Sequence, residues 1–147
     1  MTCDCIDDIP GAAGLRDWFG GFPSFHDAYA QLQLSGDGAG WIKLRGARMT
    51  AQVDADGYYI SEKHFAALIS LGEIVSVSLS DFMPGEMIVG RLNILRKDAA
   101  FELDIDTAYG LAGTIVARRV EIEFVPLPAG SLRDVSVASV FFRKMAD

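Results

Sequence analysis

Between positions 86 and 125 the apolar residues alternate with polar ones in two phases, and no other feature constrains the fold as strongly. Ile88, Leu92 and Ile94 hold even positions, whereas Phe101, Leu103 and Ile105 hold odd ones. Alternation with a period of two marks a strand with one buried face. The polar Arg96-Lys97-Asp98-Ala99 link makes the two segments a hairpin candidate. Apolar side chains meet across it only when paired residue numbers sum to an odd value, which means an even-numbered loop. A two- or four-residue loop fits, closed by the pair Leu95 and Ala100; Arg91 then lies opposite Asp104 and Asn93 opposite Glu102. A third strand comes after Gly110-Leu111-Ala112-Gly113, with Val116, Val120, Ile122 and Phe124 inward and Arg119, Glu121 and Glu123 outward. Three such strands form an antiparallel meander. Pro126 and Pro128 end it, since proline cannot donate to a ladder.

Upstream, Leu15, Trp18 and Phe19 give an apolar face to a short helix over 12–19, which Gly20-Gly21 stops. Ala28, Ala30, Leu32 and Leu34 alternate as a strand, and 35–40 reads as a turn. The next strand starts with Ile42 and Leu44 on one face, but after Gly46 the apolar phase moves to Ala47, Met49, Ala51 and Val53. One extra residue at Gly46, a β-bulge, produces that change of face. Asp54-Ala55-Asp56-Gly57 closes the segment as a turn. Residues 61–72 fit a helix capped by Ser61 and ended by Gly72, or a strand through Phe65, Ala67, Ile69 and Leu71 continuing into Val75, Val77 and Leu79; the strand is preferred. Residues 1–11 read as a flexible lead-in. Residues 131–147 fit either a helix capped by Ser131 with Asp134 or an edge strand through Val135, Val137 and Ala138. The expected fold class is mainly β: an antiparallel sandwich or partly open barrel with a C-terminal meander and a short N-terminal helix, residues 1–147 forming one domain.

Charge narrows the partners. With 13 basic and 20 acidic residues the net charge is −7. That field repels phosphate backbones and anionic lipid, so nucleic acid and membrane are not expected partners and a basic protein surface is favoured. The N-terminus lacks the charged and apolar regions of a signal peptide, and no apolar run reaches membrane-span length, so the expected location is cytoplasmic. Cys3 and Cys5 supply two of the four ligands of a structural zinc and read as reduced thiols on a loose terminus. With only two histidines in the chain, no metal or other cofactor is expected.

The candidate site residues form three groups. His26 and Asp27 are titratable neighbours in an aromatic frame, and an imidazole beside a carboxylate suits acid–base or ligand chemistry. Neighbours on an extended chain point apart, however, which favours a structural role in which Asp27 caps a turn and His26 bonds backbone. Glu102, Asp104 and Asp106 line one side of a strand about 7 Å apart, an acidic outer face paired to Arg91 and Arg119. Asp81, Phe82 and Met83 belong to a loop that suits recognition or, equally, folds back as a lid on the core. Arg118 interrupts an apolar row and must reach solvent or a carboxylate. No nucleophile elbow, phosphate loop or dinucleotide fingerprint is present, so catalysis is not expected.

The core Pro23-Ser24-Phe25-His26-Asp27, within Phe22–Ala28, is succeeded by Ser80-Asp81-Phe82, by 108–113 (Ala-Tyr-Gly-Leu-Ala-Gly) and by 121–126 (Glu-Ile-Glu-Phe-Val-Pro). Together they resemble a family of small bacterial immunity proteins of polymorphic toxin systems, over roughly residues 18–126. The resemblance implies neutralisation of a cognate toxin by direct binding, without catalysis. Members often carry an acidic residue after His-Asp-Ala, where this chain has Tyr29. Three readings are open: an immunity-like protein-binding domain; a ligand-binding or catalytic cleft gathering His26, Asp27 and Arg118; or a scaffold. Self-association through an uncovered sheet edge is compatible with each.

Overall fold

The computed structural model describes residues 4–81, 85–108 and 110–128. Helix α1 (Ala12–Phe19) precedes six strands: β1 (Tyr29–Leu34), β2 (Gly40–Val53), β3 (Tyr59–Ser80), β4 (Met87–Lys97), β5 (Ala100–Thr107) and β6 (Ala112–Pro126). The strands make one antiparallel sheet in the order β1-β2-β3-β6-β5-β4. It consists of two meanders, β1 to β3 and β4 to β6, joined edge to edge where β3 meets β6. A short ladder, Tyr29 with Ile88 and Ala30 with Met87, joins β1 to β4 and brings the sheet round into a ring. The mainly β class, the C-terminal meander and the short N-terminal helix all hold. The expectations for Phe82, Met83 and 131–147 lie outside the described residues.

The ring encloses a core of Ile42, Leu44, Phe65, Ile69, Leu92, Leu103, Ile115 and Ile122. Residues 61–72 are strand, and Phe65, Ala67, Ile69 and Leu71 face inward as the alternation required. Helix α1 spans the predicted residues, and Gly20, with φ 89°, donates to the Arg16 carbonyl to end it. The lead-in is not loose from Asp4 onward. Asp4–Asp8 forms a short 3-10 helix, Ile6 and Ile9 are buried, and the Pro10 carbonyl accepts from the Ile122 amide at 2.9 Å. Apolar residues at this end thus join the core instead of remaining in solvent. Cys5 is likewise buried and is not a free thiol, which overturns its reading as a reduced residue on a loose terminus.

The register rule for the β4–β5 hairpin holds, but its loop is shorter than the chosen pairing. Lys97 pairs with Ala100 around Asp98-Ala99, Ile94 meets Leu103, Arg91 lies opposite Asp106 and Asn93 opposite Asp104. The sum stays odd, and Asp98, at φ 54°, makes the tighter turn accessible. Three strands also change face where the sequence pattern gave no warning. A register shift between Val89 and Arg91 turns Val89 inward and leaves Ile88 exposed. Another, between Ile74 and Ser76, leaves Val75 and Val77 exposed. In β6 the core residues are Ile115 and Ala117, so Val116 belongs to the outer face and Arg118 is exposed without interrupting a core row.

Gly46 does sit at a register break, between Gly46 and Arg48, and its space is filled by Phe65 and Ala28. Beyond this break β2 departs from expectation. Met49 and Val53 do not turn inward; they are exposed. The reason is topological. β3 has 22 residues, about 70 Å of chain, more than the ring can pair. β1 reaches β2 only as far as Arg45, and β6 reaches β3 only as far as Phe65. Among the described residues, the ends of β2 and β3 past these points pair in the sheet only with each other and project as an arm, whose root is tied down where the His64 carbonyl accepts from the Leu127 amide at 2.8 Å.

Candidate functional site

The Pro23–Ala28 motif lies along β4 and extends the short β1–β4 seam. The Val89 amide donates to the Ala28 carbonyl at 2.8 Å, the Asp27 amide to Val89 at 2.8 Å, and the Leu92 amide to Ser24 at 3.1 Å. The shift at Val89–Arg91 presents the Gly90 carbonyl to the His26 ring, whose Nδ1 lies 2.8 Å from it. The motif is therefore a strap that supplies ladder bonds where the ring is most weakly joined.

The strap is not extended. Phe25 and Asp27 adopt left-handed backbone, φ 61° and 65°, and the Ser24 hydroxyl accepts from the His26 amide at 3.3 Å. This turn overturns the argument that His26 and Asp27 point apart: Nε2 of His26 lies 3.5 Å from Oδ2 of Asp27. Both side chains remain largely exposed, 68% and 69%. His26 thus bonds backbone, as its structural role requires, while its other nitrogen faces the carboxylate.

Beside the pair opens a cleft of about 300 Å³, bounded by the motif, by Gly46–Met49 of β2, and by Phe19, Ser61 and Phe65. Its walls are chiefly Pro23, Phe25, Ala47, Met49 and Phe65, with His26, Asp27 and Arg48 as polar groups. Arg48 is occupied: it donates to the Phe19 carbonyl at 3.2 Å and lies 4.0 Å from Glu62. Arg118, grouped with His26 in the cleft reading, instead lines a separate hollow with Val75, Lys97 and Val116. Among the described residues no cluster of three metal-ligating side chains occurs.

The arm rises from the edge of the cleft. Met49, Val53, Tyr58, Tyr59 and Ile60 are exposed on it together. The three residues of the run Tyr58-Tyr59-Ile60 were not among the expected site residues. Their break of alternation after an Asp-Gly turn could have marked a strand with no buried face.

The carboxylate row is on the outer face; of its expected partners Arg91 lies beside it, opposite Asp106, whereas Arg119 does not. Glu102 pairs with Lys97 at 3.5 Å, and Arg119 with Glu73 at 3.2 Å. Asp81, exposed at the end of β3, and the row residues do not border the cleft. Burial, and after it the charge of Glu102, hold the Asp104 carboxyl above its usual value, against the pull of Arg91 and Lys97. The folded chain therefore takes up this proton more readily than the unfolded chain. The resulting stabilisation is full below the unfolded pKa and is lost as pH rises through the folded one. Asp104→Asn is expected to stabilise the protein at neutral pH by less than about 1 kcal/mol, since the side chain is only partly buried. It should also flatten the stability profile just above the ordinary carboxylate range. Urea unfolding at about pH 4 and at neutrality reads both effects, and a loss at neutral pH would reverse the argument.

No protein-family model matches the chain, and searches of curated proteins and of solved structures find no match. No helix among the described residues is long and apolar enough to cross a membrane.

Proposed function

We propose that this protein is a non-catalytic protein-binding domain whose docking element is the β2–β3 arm together with the cleft at its root. The observation that carries the reading is the group Met49, Val53, Tyr58, Tyr59 and Ile60, exposed on a hairpin that pairs with no other described strand. Several large apolar side chains exposed together on a projecting element mark an interaction surface, and tyrosine is enriched in such surfaces. The net charge of −7 suits a basic partner. The likeness of Pro23–Ala28 to immunity proteins supports a narrower form of the same reading, in which the partner is a cognate toxin and binding neutralises it.

Co-expression with the product of the neighbouring gene tests the reading. Capture at micromolar concentration is expected, and the double substitution Tyr58→Ser, Tyr59→Ser should weaken it about 10- to 100-fold with little change in melting temperature. Both rings are solvent-exposed, so their loss leaves the core intact. If no neighbouring product binds, or if capture survives the double substitution unchanged, the reading fails. A concentration-dependent mass abolished by the same substitutions would identify a second copy of the chain as the partner instead.

A second reading, a small-ligand cleft at His26 and Asp27, draws on the concavity and on the 3.5 Å approach of the two side chains.

A further inference from the structure

The hydrogen bonding of His26 turns a second acceptor toward Asp27 at the solvent-exposed edge of the cleft. A carbonyl oxygen only accepts, so the 2.8 Å contact with Gly90 places a proton on Nδ1 of His26. In the neutral ring Nε2 is then a lone-pair acceptor, and it faces Oδ2 of Asp27 at 3.5 Å. Two acceptors turned toward each other, both largely exposed, can share one donor that arrives from outside the chain. The neighbouring cation, Arg48, is directed instead toward the Phe19 carbonyl and Glu62. A divalent metal fits poorly, since among the described residues no third ligating side chain joins the pair. Beside the two acceptors the cleft wall is apolar, formed by Phe25, Ala47, Met49 and Phe65.

We propose that the cleft receives a lysine or arginine side chain of the protein partner. The aliphatic stem lies against Phe25 and Met49, and the cationic head donates to Nε2 of His26 and Oδ2 of Asp27. This is the usual division of a long basic side chain into an apolar body and a charged tip. The inference rests on the protein-binding reading and names the chemistry that the partner must present at the root of the arm.

The test uses Nα-acetyl-lysine methylamide as probe and Nα-acetyl-norleucine methylamide, which has the stem without the ammonium, as control. Both are titrated into the full chain at neutral pH and monitored by NMR of the His26 ring and the Met49 methyl. The lysine derivative is expected to shift both signals saturably, with a dissociation constant on the order of millimolar for so small a ligand. The norleucine derivative should bind about five- to tenfold more weakly. Asp27→Asn, which tolerates the left-handed backbone, should remove that preference while leaving norleucine binding unchanged. Equal binding of the two probes, or no saturable shift at His26 and Met49, overturns the proposal. Either result leaves capture by the arm to be judged on Tyr58 and Tyr59, so failure of the cleft and failure of the protein-binding reading are distinguishable.

Discussion

Gly113→Ala is expected to destabilise the protein by about 3 kcal/mol or more, lowering the melting temperature by about 6–12 °C. Gly113 lies in β6 between Leu79 of β3 and Ile105 of β5, so it is bounded by backbone on both sides. Its φ of 147° belongs to a region that L side chains rarely adopt. A Cβ there would overlap the Ser78 carbonyl oxygen and come within 2.9 Å of Leu79 Cα. Neither neighbour is a side chain that could rotate away, so β3 and β6 would have to part along the seam that joins the two meanders. Gly57→Ala separates this clash from backbone strain alone. Gly57 has φ 86°, yet a Cβ there meets nothing within 4 Å, and the expected loss is only about 1 kcal/mol. Equal losses for the two variants, or a Gly113→Ala protein within about 1 kcal/mol of the parent, would show that the seam yields easily.

What the sequence revealed was local, and what it concealed was long-range. Alternation in Phe101, Leu103 and Ile105 identified the buried face of β5, and the even-loop rule identified its hairpin with β4. A period of two says which face is buried but not which strand lies alongside. The pairings of β3 with β6 and of β1 with β4 join residues far apart in the chain, so a partly open barrel was one of two architectures expected but its strand order was not legible. Shifts at Val89–Arg91 and Ile74–Ser76 were hidden because apolar residues stand on both sides of the break. Ile88 beside Val89 and Val75 beside Ile74 allow either phase. At the candidate site the motif was legible as a place but not as a shape. An aspartate tolerates left-handed backbone and gave a faint signal at Asp27, whereas Phe25 gave none.

The conformation of Phe25 ties the site to the core, and Phe65→Ala is expected to disturb both. Phe65 is 1% exposed and meets Trp18, Phe19 and Phe25 at centroid distances of 6.2, 5.5 and 6.0 Å with steep interplanar angles. Truncating such a side chain removes its transfer free energy and opens a cavity, a loss of about 3–5 kcal/mol, to which edge-to-face partners contribute. A left-handed phenylalanine persists only where packing over-determines it. Phe25 is held by Phe65 on one side and by Phe22, at 5.8 Å, on the other. Without Phe65 the strap should open from β4 before the ring unfolds. Native-state hydrogen exchange in Phe65→Ala should therefore show the Asp27 and Leu92 amides, which bond across the seam, exchanging through a partial opening, while Leu103 and Ile115 exchange only on global unfolding. Phe101→Ala provides the comparison. Phe101 is buried in β5 and absent from the cleft lining, so its loss should lower global stability while the strap stays closed. If Phe65→Ala leaves Asp27 and Leu92 as protected relative to Leu103 as they are in the parent, the aromatic cluster does not hold the motif in place. The His26–Asp27 geometry would then be set by the Gly90 contact and the seam bonds alone.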